Sequence, residues 1–160
     1  MTLSKRVAIG GMAAACCVVL GICSLLVVGA PRVSANPKPA TLTLEVKNDQ
    51  VARHDFGNPG LDVGDMDVFS DILSVDGNVV GHDGGACFFT NIAPDSPTAY
   101  CELTIQLAQG QIFARGLTPH TLAPMVIAIT GGTGDYSDAR GEITVTGVAS
   151  PAEKYVVKFS

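Results

Sequence analysis

The stretch Ala99-Tyr-Cys-Glu-Leu-Thr-Ile-Gln-Leu107 alternates with a period of two, placing Cys101, Leu103, Ile105 and Leu107 on one face. That period belongs to a β-strand with one buried face, since successive side chains point to opposite sides of the backbone. Gln109-Gly110 then makes a turn into Gln111–Leu117. Working outward, Thr41–Lys47 alternates strictly, and Asp67–Leu73 is a further strand, followed by the hairpin turn Val75-Asp-Gly-Asn78. Val79–Gly81 resumes the chain, and Ala86–Ile92 continues it past a Gly pair. Met125–Thr130, Ile143–Val148 and Lys154–Phe159 complete the set. No segment keeps a helical period over about ten residues, and only Asp135–Ala139 suggests a helical turn. Seven or eight short strands joined mostly by short turns predict an all-β fold, an antiparallel barrel or sandwich.

The segment before these strands reads as an export signal. Lys5 and Arg6 form a positive start, Val7 to about Ala30 is uncharged and apolar, and Val33-Ser34-Ala35 presents small residues before a cut after Ala35. The rival is a retained membrane anchor, because about two dozen apolar residues suffice to span a bilayer. The bulky Ile22 before Cys23 argues against lipoprotein processing. The expected organisation is a signal peptide over 1–35, a Pro-rich tether over 36–40 and one domain over 41–160, secreted or extracytoplasmic. A membrane would be met only through an uncleaved signal segment.

Beyond residue 35 the chain has seven Lys/Arg against fifteen Asp/Glu, a formal charge of −8. Phosphate binding needs a basic face, so nucleic acid is not an expected partner. Three of the five cysteines lie in the export segment, which leaves Cys87 and Cys101. An isolated pair in an oxidising compartment is expected to form a disulfide.

Several motifs are ruled out by context. Ile127-Ala-Ile-Thr-Gly-Gly-Thr-Gly134 looks like a dinucleotide loop, but the chain after it reads as strands, without the long helix such a unit requires. His54, His82 and His120 have no ligand spacing, so no metal site is expected. No Gly-x-Ser-x-Gly elbow supports a hydrolase triad. Asp71 is the informative charge. It alternates onto the face of Phe69 and Leu73, and an inward carboxylate costs several kcal/mol unless it is partnered. Its partner is expected to be either Arg140, in a structural pair, or a ligand.

Three blocks taken together resemble the allene oxide cyclase and dirigent protein superfamily. They are Gly64-Asp-Met-Asp-Val-Phe-Ser-Asp-Ile-Leu73, Val80-Gly-His-Asp-Gly-Gly-Ala-Cys87 and Ala128-Ile-Thr-Gly-Gly-Thr-Gly-Asp-Tyr-Ser-Asp-Ala-Arg-Gly141. The resemblance implies an eight-stranded antiparallel up-and-down β-barrel, often trimeric, with a largely apolar cavity open at one end. It implies a small hydrophobic or phenolic ligand whose cyclisation, isomerisation or stereoselective coupling is steered without a cofactor. Catalysis of that kind works by positioning, helped by a carboxylate.

Residue by residue, the resemblance carries over Glu45, Asp71, Asp135 and Arg140 as catalytic candidates and Phe69, Tyr100 and Tyr136 as ligand contacts. Where cyclases of this superfamily have an Asn two residues after the Glu, this chain has Lys47. Cys87 takes the place of a pocket cysteine, although Cys101 on the following strand competes for it. Alternation sets Glu45 opposite to Leu42, Leu44 and Val46. Either Glu45 faces solvent or the outside of the barrel is covered by neighbouring subunits. The contrasting reading is a non-catalytic secreted barrel, for ligand binding or as an envelope module.

Overall fold

A computed structural model describes residues 39–160; the export segment and the start of the tether lie outside the described residues. Eight strands run β1 Thr41–His54, β2 Met66–Val75, β3 Asn78–Asn91, β4 Thr98–Leu107, β5 Gly110–Pro119, β6 Met125–Gly132, β7 Gly141–Thr146 and β8 Lys154–Phe159. Each pairs antiparallel with the next, and β8 returns to β1, closing an up-and-down barrel. Closure leaves no sheet edge exposed.

The β2–β3 hairpin is as tight as its sequence predicts. Asp76 and Gly77 both adopt positive φ, 49° and 75°, the two left-handed positions of a type I′ turn. The Gly84-Gly85 pair does not break β3, which runs through it. A Cβ at Gly85 would meet the Glu102 carbonyl oxygen and lie 2.6 Å from Phe69 Cζ. The missing side chain is therefore the space that the Phe69 ring occupies. The helical turn expected at Asp135–Ala139 is a single 3₁₀ turn, Gly134–Tyr136.

Alternation sends one set of residues inward on every strand. Leu44, Val46, Leu73, Ile105, Ile112, Ile143 and Val157 are buried together at one end of the barrel. Tyr136 packs into the same cluster, its ring 5.9 Å from that of Phe159. Burying apolar side chains of this size stabilises by roughly 1.5–3 kcal/mol each. One irregularity matters for function. The β1–β2 register shifts between Asn48 and Gln50, so Asp49 is an extra residue in a β-bulge. Before the bulge the inward residues are Leu44, Val46 and Asn48; after it Val51 and Arg53 line the interior.

Candidate active site

At the end away from Tyr136 the barrel opens into a cavity of about 520 Å³, within the range of small-molecule sites. Its walls include Phe69, Leu103, Ile127, Val145 and Val148, and the disulfide between Cys87 and Cys101. These cysteines face each other directly across β3 and β4, with Cα atoms 4.0 Å apart.

A group of acids stands against this apolar wall. Asp71 is buried, and its Oδ1 accepts a hydrogen bond from Asn48 Nδ2 at 3.0 Å. The same amide reaches Glu153 Oε2 at 3.4 Å, and that oxygen also accepts the Ala149 N–H at 2.8 Å. Burial, with a smaller push from Asp71, raises the Glu153 carboxyl above its ordinary value. Asn48, Asp71, Glu153 and Tyr155 all line the cavity.

Asp83 stands behind them. The β2–β3 ladder is interrupted between the pairs Phe69–Gly85 and Ile72–His82. In that gap Asp83 Oδ1 accepts the Asp71 N–H at 2.9 Å, and Ser70 Oγ donates to the Asp83 carbonyl at 3.0 Å. A side chain thus takes over a backbone contact and ties the two acids together. Asp83 Oδ2 is buried without a hydrogen bond, while the Tyr155 hydroxyl stands beside the carboxyl and partly offsets its rise. Burial first, then the charge of Asp71, pushes Asp83 up to about 7. Burial, then Asp83 and Asp71, holds the Tyr155 phenol far above its usual range.

The mouth carries a second polar group. Arg53 grips Asp67 with two hydrogen bonds of 2.7 Å, from Nε to Oδ1 and from Nη2 to Oδ2. His120 Nε2 lies 3.3 Å from Asp67 Oδ2. The Arg53 hydrogen bonds hold Asp67 below the ordinary carboxylate range and raise Arg53. Phe89 packs beneath, its ring 4.6 Å from His120 and 5.6 Å from the Arg53 guanidinium carbon.

Among the residues the sequence singled out, Asp71 and Phe69 reach the cavity. Glu45 does not: it is exposed on the outer face, where its carboxylate accepts the Gly77 N–H at 3.3 Å. Its neighbours Leu44 and Val46 are the inward pair, so alternation decides the matter. Asp135 and Arg140 are exposed at the closed end of the barrel. Arg140 Nη1 donates to the Ala139 carbonyl, and Asp71 finds Asn48 instead. Tyr100 belongs to the outward set of β4, out of phase with the cavity residues Ala99 and Cys101. Tyr136 plugs the closed end.

The sequence reading did not single out Asn48, Arg53, Asp67, Asp83, His120, Glu153 or Tyr155. Asp83 shares the phase of Cys87 and Phe89 on β3, and that alternation was the available signal.

The allene oxide cyclase barrel like domain matches the chain over residues 40–160. No curated protein matches it. Among solved structures, a pyocyanin demethylase is 71% identical with a TM-score of 0.73, covering 75% of this chain and 99% of its own. The exo-specific intermolecular Diels-Alderase AbnU is 13% identical with a TM-score of 0.60, covering 74% of this chain and 96% of its own. The Diels-Alderase AbmU from Streptomyces koyangensis is 16% identical with a TM-score of 0.57, covering 72% of this chain and 60% of its own. At such identities the two Diels-Alderases share the fold and carry no statement about chemistry. With the match running through all eight strands, the chain belongs to the allene oxide cyclase barrel-like family.

Proposed function

We propose that this protein is an exported demethylase that removes the N-methyl group of a flat nitrogen heteroaromatic such as pyocyanin. The observation that carries this reading is the pair Asp71 and Glu153, bridged by Asn48 on an apolar wall. Identity of 71% to a pyocyanin demethylase narrows the substrate class.

The chemistry fits the groups present. A methyl on a quaternised ring nitrogen is acidified by the ring. Asp71 takes a methyl proton, and the C–H electron pair passes into the ring. Glu153, whose burial helps it keep a proton, protonates the far ring nitrogen. Together these two transfers make a tautomerisation. Water then adds to the exocyclic methylene, the C–N bond breaks and formaldehyde leaves. The methyl carbon loses two electrons and the ring gains them, so pyocyanin and water give the demethylated dihydro ring and formaldehyde. Positioned acid–base groups of this kind contribute roughly 10²–10⁴-fold each.

The export segment supports action outside the cytoplasm, where the Cys87–Cys101 bridge persists. The test is incubation of the purified protein with pyocyanin, following pyocyanin loss and formaldehyde release. Asp71→Asn and Glu153→Gln are each expected to lower kcat by about 10²-fold or more. Absence of formaldehyde, or full turnover by both variants, refutes the reading.

A further inference from the structure

The floor of the cavity has acids without a cation. Asp71 on β2 and Glu153, just before β8, line it with Asn48 of β1 and Tyr155 of β8, and Asp83 on β3 lies behind them, its Oδ1 accepting the Asp71 N–H. The inward side chains of β4, β6 and β7 around them, Leu103, Ile105, Ile127, Ile143 and Val145, are apolar. The one cation lining the cavity among the described residues, Arg53, is engaged by Asp67 at the mouth, where His120 shares the same carboxylate. Burial without a counter-charge raises the Asp83 and Glu153 carboxyls above their ordinary range. Asp83, directly behind Asp71, keeps its Oδ2 buried without a hydrogen bond.

We propose that the cavity recognises its substrate by positive charge: N-methylated aromatic cations enter in exchange for a proton released from the buried Asp83 carboxyl behind its acid wall. This rests on the cavity's being the substrate site and deepens the demethylase reading by naming its class. The class includes oxygen-free cations such as 5-methylphenazinium and excludes the neutral parent phenazine, which has the same three-ring outline. A fixed positive charge supplies the missing counter-ion, favours the ionised acids and drives the proton out.

The experiment measures binding of 5-methylphenazinium and of phenazine to the unmodified protein, in the dark, at pH 6 and pH 8. With one proton released from a group that titrates at about 7, affinity for the cation is expected to rise about tenfold across this interval. Affinity for phenazine is expected to change less than about twofold. Calorimetry in two buffers of different ionisation enthalpy is expected to show a proton released with the cation alone. His120→Gln is expected to retain the rise.

Cation affinity that is flat between these pH values, phenazine bound as tightly as the cation at pH 8, or loss of the rise in His120→Gln overturns the inference. Pyocyanin turnover without charge preference defeats this proposal and leaves the demethylase reading standing. Charge preference without turnover of pyocyanin does the reverse.

Discussion

Replacing Asp83 by Asn is expected to stabilise the protein, and the gain should grow with pH. In the folded barrel the Asp83 carboxyl titrates at about 7, against an ordinary 3.8. The folded state therefore binds more protons than the unfolded chain between those values, and unfolding releases them. The sign follows: stability is full below about pH 4, falls as pH rises through the interval and levels off above about 7. A difference of about three pH units corresponds to about 4 kcal/mol at the upper plateau. Asn cannot ionise, and its carbonyl oxygen can still accept the Asp71 N–H that Asp83 Oδ1 accepts at 2.9 Å. Asp83→Asn should therefore match the parent at pH 4 and exceed it by as much as about 4 kcal/mol at pH 8. Urea unfolding of both proteins at pH 4, 5.5, 7 and 8 measures the difference, in which titrations common to both largely cancel. Parallel stability curves across this range would refute the argument that Asp83 is buried short of a partner.

Three further outcomes follow from the geometry. Replacing Cys87 and Cys101 together by Ala should cost roughly 3 kcal/mol in the chain-entropy account, read as a lower Tm that reductant no longer affects; an unchanged Tm contradicts the bridge. Glu45→Ala should leave turnover within about twofold of the parent, whereas a loss of the size expected for a positioned acid–base group would place Glu45 in the cavity after all. Gly85→Ala should cost roughly 1–3 kcal/mol by overpacking, because its Cβ would lie 2.6 Å from Phe69 Cζ; near-UV circular dichroism and unfolding would report an unperturbed Phe69 if the ring is not confined there.

The barrel was legible because its strands alternate, and alternation is a local property. Asp71 could be placed inside from Phe69 and Leu73 alone, and the structure buries it. Glu45 shows the same rule working against the family resemblance: Leu44 and Val46 claim the interior, so Glu45 must face out. Arg53 was hidden because Asp49 shifts the phase of β1 partway along its length. Two apolar residues before Arg53 cannot announce that change of face. Glu153 lies just before β8, and its link to Asn48 spans 105 residues of sequence. Asp83 stands beside a Gly pair that reads as a break in the chain, although the strand continues through it. What was missed is what only closure of the barrel brings together.

The shortness of one ladder sets how the interior is reached. β5 and β6 pair only from Ile112–Arg115 against Ala128–Gly132. Toward the opening, Thr118, Pro119, Met125 and Ile127 all border the cavity, and residues 120–124 connect the two strands above them. On that side the rim is carried by the 120–124 connection and by side-chain packing such as Ile127 against Gly116, and not by ladder pairs. Side chains of that connection, His120, Thr121 and Leu122, therefore share the cavity lining with Asp71 of β2 and Glu153 just before β8, so changes in this one short segment would alter which rings are admitted.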